Sequence, residues 1–275
     1  MGLTVNTNLS AMSAANSLNS TQGNLSNTLS RISTGLRVTK AADDAAGSAV
    51  AANLSTQARS GRQAIRNSND GVSVIQTAEA ASKEVVNILD RMRELAVQSS
   101  SETLANGERD YINDEFDELS NEIERIAQAT EFNDINLANG DKTSLTVQVG
   151  VTSGTESEID ITLGDLSTSN LGVETTDVDL TLASASQTAI DTIDTAIDSV
   201  NSIRASYGAT QNRLDSAMSN MSTYVESLTG AASQIMDADY AHETAEMTRL
   251  QVMQQAGVAA LGQAKGMNQS VLSLL

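Results

Sequence analysis

The sequence predicts a mainly α protein, a long helical coiled-coil rod with a small β-hairpin region, and three observations point there. Aromatic residues are only 2% of the 275, and Pro, Trp and Cys are absent. The apolar mass comes from Ala, Leu, Ile, Val and nine Met, which suit helices better than a compact, pocketed core. Apolar positions recur at alternating spacings of three and four over much of the chain, the pattern of a narrow helical seam. One internal stretch departs from that period and alternates in steps of two.

In chain order, the first seam is Ala11, Ala15, Leu18, Gln22, Leu25, Leu29, Ile32 and Leu36, with Gly35 and the 40–44 segment marking its end. A second runs from Ile75 through Leu89 and Met92 to Ala96. A third, Ile112, Phe116, Leu119, Ile123 and Ile126, starts after the Asn106-Gly107 break. Leu145, Val147 and Val149, then Ile159, Ile161 and Leu163, each skip one polar residue across Gly150 to Gly154, so residues 143–164 are expected to form a β-hairpin. Residues 165–187 are Ser-, Thr- and Asp-rich and predict loop with a short strand at Val178, Leu180 and Leu182. From Ile190 to Ile235 the three-four spacing holds over about 46 positions, roughly 70 Å of helix. The last seam is Leu250, Met253, Gly257, Ala260, Ala264, Met267, Val271 and Leu274.

Charge divides the chain. The net charge is -19, and all 35 acids lie between Asp43 and Glu246. Carboxylates are costly to take out of water, so acid-free ends around a very acidic middle suggest ends packed inside something. A division follows into residues 1–44 with 236–275, and a helical rod of residues 45–235. One narrow seam per end is not a domain core, so each end should order only with partners. The acidic balance argues against nucleic acid and anionic membrane surfaces as partners, and no stretch approaches the length of a membrane span. Residues 1–20 lack the basic start and apolar run of a secretory signal.

Catalytic chemistry finds no footing. His242 is the single histidine, and neither a nucleophile elbow nor a phosphate loop is present. His242-Glu243-Thr244-Ala245-Glu246 approaches a zinc-protease pattern but has Glu246 where a second histidine belongs. Asp43-Asp44 and Asp237-Ala238-Asp239 lack calcium-loop spacing and read as helix-start and loop residues. No cofactor, metal or catalytic residue is expected.

Several segments resemble bacterial flagellins. They are Arg31-Ile32-Ser33-Thr34-Gly35-Leu36-Arg37, then Lys40-Ala41-Ala42-Asp43-Asp44-Ala45-Ala46-Gly47, Asn69-Asp70-Gly71-Val72-Ser73, and Arg91-Met92-Arg93-Glu94-Leu95-Ala96-Val97-Gln98-Ser99. Glu131-Phe132-Asn133, Gly208-Ala209-Thr210-Gln211-Asn212-Arg213-Leu214, Asp237-Ala238-Asp239-Tyr240-Ala241, Gln254-Gln255-Ala256-Gly257 and Val271-Leu272-Ser273-Leu274-Leu275 continue the series in order. The likeness spans roughly residues 1–165 and 185–275 and lacks the large variable outer region that many flagellins insert, a minimal form.

The resemblance implies a structural subunit that self-polymerises into the hollow filament of the flagellum, serving motility. Its terminal helices would pair as a coiled coil in the inner filament layer, with subunit packing carried by Leu18, Leu25, Leu29, Ile32, Leu36, Leu250, Met253, Leu261, Met267, Val271 and Leu274. It implies an extracellular location reached through the flagellar type III export apparatus without a cleaved signal, and as partners an export chaperone, the filament cap and hook-junction proteins. By the same resemblance a host Toll-like receptor would read Arg91, Leu95 and Glu115, although Asp90 stands where receptor-activating members commonly carry Gln. Alternatives are a hook-filament junction protein and, in another class, a coiled-coil signalling module. For assembly, either salt helps by screening the net charge, or acids pair across subunits with Arg91, Arg93, Arg109 and Arg125 and salt weakens the contact.

Overall fold

The computed structural model describes residues 7–176 and 178–272, with side chains described as far as Gly266. The elements are α1 (Leu9–Thr34), α2 (Ala45–Ser99), α3 (Asn106–Ala129), β1 (Glu131–Phe132), β2 (Ile135–Asn136), β3 (Ser144–Gln148), β4 (Glu158–Thr162), α4 (Thr168–Leu171), α5 (Ala183–Met236) and α6 (Tyr240–Leu272). They fall into two compact units, one of residues up to Gln57 and from Glu226, the other Ala58–Val225.

Helix ends follow local chemistry. Asn8 Oδ1 accepts from Ala11 N–H at 2.9 Å at the start of α1, and Gly35 closes it with φ 72°, a left-handed residue where glycine carries no Cβ penalty. Asp44 Oδ1 accepts from Gly47 N–H at 2.8 Å to cap α2. At the end of α2, the buried Arg109 guanidinium donates to the carbonyls of Ser99 (3.0 Å) and Ser101 (2.8 Å), so one side chain satisfies chain-end acceptors that would otherwise be orphaned.

In the Ala58–Val225 unit, α3 runs antiparallel to α2, as Arg91–Glu115 and Arg109–Ser99 show. The α5 helix runs antiparallel to it as well, as Gly61 beside Val225 and Arg93 beside Asp194 show. Leu89, Met92 and Ala96 of α2 meet Phe116 and Ile123 of α3 and Ile193 and Val200 of α5 in one core cluster. A second cluster seats the hairpin: Ile159, Ile161 and Leu163 pack with Val74, Ile75, Tyr207 and Leu214. The β3–β4 register sets Leu145 opposite Ile161 and Val147 opposite Ile159, the inward face the alternation predicts. Tyr207 Oη accepts from Gly164 N–H at 3.0 Å, tying the hairpin exit to α5, and burial pushes the phenol up.

Two features differ from expectation. No strand occurs among the described residues of 165–182; the segment holds the short α4 and coil, and α5 starts at Ala183, inside the stretch expected to be loop. Val178 and Leu180 are buried as a period of two requires, but Leu182, the third position of the expected strand, is 57% exposed. The Leu180 backbone, however, bonds to side chains: its N–H donates to Asn113 Oδ1 (2.9 Å), and its carbonyl accepts from Ser99 Oγ (2.6 Å). With both groups satisfied there is nothing left for a ladder. The β1–β2 pair is a two-residue hairpin turning on Asn133 and Asp134, both at positive φ (51° and 62°), and it was not anticipated.

Candidate assembly interface

The terminal helices pair antiparallel. Asn8 Nδ2 donates to the Ala264 carbonyl at 2.9 Å near one end of the pair, and a Cβ on Gly257 would lie 3.3 Å from Leu18. Arg31 Nη1 lies 3.4 Å from Glu243 Oε1 near the other end. Beyond that, the linkers join: Arg37 N–H donates to the Met236 carbonyl (2.6 Å) and Ala238 N–H to the Gly35 carbonyl (2.9 Å). Asp43 closes its own turn, accepting from Thr39 Oγ1 and the Thr39 and Lys40 amides, bonds that hold its carboxyl below the usual range.

The paired faces are shifted from the sequence seams. On α1 the covered column is Ala11, Ala14, Leu18, Thr21, Leu25, Thr28 and Ile32; on α6 it is Glu243, Met247, Leu250, Gln254, Gly257, Leu261 and Ala264. Every seventh residue is common to both assignments, but the intervening positions move by one. Leu18, Leu25, Ile32, Leu36 and Leu261 are half-buried and Leu250 is buried. Leu29 and Met253, expected in packing, are 49% and 44% exposed because Thr28 and Gln254 take their places against the partner helix. The side chains of Met267 and Val271, and all of Leu274, lie outside the described residues. Leu9, Met12, Val252 and Val258 are exposed like Leu29, leaving apolar surface uncovered on both helices. Gln22, Leu25, Ser26, Leu29, Ser30 and Ser33 line a shallow open groove there.

Glu243 was missed by the sequence argument. It is an acid, 6% exposed, just before the acid-free stretch that starts at Met247. Its signal was positional, seven residues before Leu250 in the α6 column, with Arg31 as the one cation available on α1.

In the Ala58–Val225 unit, Arg91 and Glu115 do come together, Nη2 to Oε1 at 2.7 Å, with Arg91 also reaching Glu94 at 3.0 Å. Leu95 is core, 1% exposed. It cannot present a side chain to a partner, because a leucine at this position completes the α2–α3 packing. Hydrogen bonds raise the guanidinium pKa of Arg91, Arg93 and Arg125 and lower the carboxyl pKa of Asp194 and Glu122, their partners being Glu115, Asp194 and Glu122. The acid-binding side chains expected to reach a neighbour are thus engaged inside the chain.

Asp239 Oδ1 accepts from the Ala241 and His242 amides at the start of α6, and Glu246 chelates Arg249. Among the described residues no group of three or more His, Cys, Asp or Glu is arranged to hold a metal ion, and no helix is long and apolar enough to cross a membrane.

Comparison with known proteins agrees with this geometry. Residues 5–143 match the bacterial flagellin N-terminal helical region, and residues 190–275 the bacterial flagellin C-terminal helical region. The chain is 42% identical to a flagellin of Halalkalibacterium halodurans over 271 residues, covering 98% of this chain and 99% of that one. It is 31% identical to polar flagellin C of Vibrio parahaemolyticus over 383 aligned positions that span all of both chains. That alignment is longer than the present chain, so the relative carries sequence that this one lacks. The crystal structure of Bacillus cereus flagellin superposes with a TM-score of 0.50 at 30% identity, over 57% of this chain and 88% of that one. A putative flagellar hook-associated protein from Vibrio parahaemolyticus shares the fold at 15% identity, with a TM-score of 0.60 over 71% of this chain and all of that one. With both terminal regions matched in order and a full-length relative at this identity, the chain belongs to the bacterial flagellin family.

Proposed function

We infer that this flagellin is a structural subunit that polymerises with copies of itself into the extracellular filament of the bacterial flagellum, and that the filament serves motility. The observation that carries the reading is the uncovered apolar surface on α1 and α6: each buries one column against the other and leaves Leu29, Met253 and Val258 in water. Such surface on both helices of a two-helix layer is what further copies would cover. The signalling-module alternative is set aside by family membership.

Finer features belong to the same proposal. The α1–α6 pair lines the inner layer of a hollow tube, with packing through the leucine and methionine positions named above. Export proceeds through the flagellar type III apparatus without a cleaved signal, an export chaperone holds the α6 surface beforehand, and cap and hook-junction proteins meet the polymer at its ends. A host Toll-like receptor would find Arg91 and Glu115 on the surface as a pair, with Asp90 exposed beside them and Leu95 acting only through packing.

The test is seeded growth. Purified chain added to sheared filament seeds should extend them into long filaments visible by electron microscopy. Short plugs on hook ends, without extension, would instead mark a junction protein.

A further inference from the structure

Six of the twelve arginines form a salt bridge within the chain. Arg62 and Arg66 form none. They are exposed on α2 four residues apart, which sets them on one helical face. Residues 45–69 contain no acid at all, in a chain of net charge -19. Arg66 donates to Gln63 Oε1, Gln63 Nε2 donates to Asn67 Oδ1 (2.9 Å), and Asn67 Nδ2 donates to the Gln148 carbonyl (3.2 Å). Neutral amides therefore orient the Arg66 guanidinium and leave its charge uncompensated. Arg62 has no acidic partner among the described residues.

The complementary surface is on α3. Asp110, Asp114 and Glu118 share one exposed face and have no basic partner among the described residues. Beside them, burial and the charges of Asp114, Asp179 and Glu118 push the Asp117 carboxyl up, and its Oδ1 is buried without a hydrogen bond. Carboxylates crowded this way gain from an arriving cation. Within one chain the two surfaces cannot meet. The Arg91–Glu115 and Arg109–Ser99 contacts set the acidic face alongside α2 near residue 93. At 1.5 Å per residue, that is roughly 45 Å along the helix from Arg62.

We propose that the Arg62–Arg66 face of one subunit docks on the Asp110–Asp114–Glu118 face of the next copy of this chain. The proposal rests on the filament-subunit reading and names two surfaces that meet in it. Each copy carries both halves at separate places, so the contact is head-to-tail and does not close on itself, the geometry that propagates a filament. Copies so joined are offset by roughly 45 Å along α2.

Charge exchange on the full-length chain tests it, read as the critical concentration for seeded growth. Arg62→Glu with Arg66→Glu, and separately Asp110→Lys with Asp114→Lys, should each raise that concentration about tenfold or more, because like charges then face each other. All four changes in one chain should bring it back to within about threefold of the parent, because the pairing is restored with its signs reversed. Circular-dichroism melting checks that each variant still folds, as expected for exposed positions. Either variant pair growing like the parent, or a four-fold variant no better than the pairs, would overturn the contact while leaving the filament reading intact. A parent chain that does not extend seeds would overturn the filament reading itself.

Discussion

Glu243 is buried with Arg31 as its cation, but the two partners are unequally buried: the Glu243 side chain is 8% exposed and that of Arg31 35%. Removing the arginine strands a buried carboxylate, whereas removing the glutamate frees a guanidinium that water already reaches. Arg31→Ala should therefore destabilise the helix pair by about 3 kcal/mol and Glu243→Ala by about 1 kcal/mol, seen as unequal falls in filament melting temperature. The reverse order would show that the pair is not what holds Glu243. Asp117 supplies the opposite case. Its folded pKa is raised, so ionisation costs folded-state stability at neutral pH, and that cost disappears as pH falls through the raised value. Asp117→Asn should melt higher than the parent at pH 7, by under about 1 kcal/mol given its partial exposure, and the advantage should shrink to nothing in acid. An advantage unchanged by pH would assign the effect to packing instead of charge.

At the scale of elements, the proposed packing has the two columns on α1 separate folding from assembly. Leu250, 2% exposed, belongs to the α1–α6 contact, while Leu29 faces outward. Leu250→Asp should cost several kcal/mol and abolish pairing of the terminal helices. Leu29→Asp should leave that pairing intact and still stop polymerisation, which sedimentation together with limited proteolysis of the ends would distinguish. Seams written in Leu, Ile and Met were legible in the sequence, as was the hairpin, because their period survives in any apolar scale. The first half of α2 was not. Its buried positions are Ala51, Ala58, Gly61, Ala64, Ser68 and Gly71, a seam of small residues that lets helices approach closely and carries almost no hydrophobic signal. A Cβ on Gly61 would lie 2.6 Å from Val225 Cγ2, a measure of that approach. The one-residue shift of the α1 and α6 columns was hidden for a related reason: Thr21, Thr28 and Gln254 look like surface, and only the partner helix decides which flank is covered. The Leu180 segment was misread because burial alternates there while the hydrogen bonds go to Asn113 and Ser99.

For the whole molecule, long-range and contact electrostatics should oppose each other. A net charge of -19 on each copy repels over about 30 Å at 0.01 M salt and about 8 Å at 0.15 M, whereas a face-to-face contact is screened only when the Debye length nears about 3 Å at 1 M. The critical concentration for growth should fall, pass through a minimum near physiological salt, and rise again, with the rise absent in the Arg62→Glu, Arg66→Glu chain. A monotonic fall in the parent would leave net repulsion in sole control. The α1 columns also bear on what mutation can reach. Leu18, Leu25 and Ile32 belong both to the covered column and to the sequence seam, so under the proposed packing one substitution there is judged twice, once by its own chain and once by its neighbours. A lineage can drift at Leu29 by trading filament strength alone. At Leu25 it needs a change that satisfies two unrelated surroundings at once, and heritable variation along this helix should thin out with a period of seven.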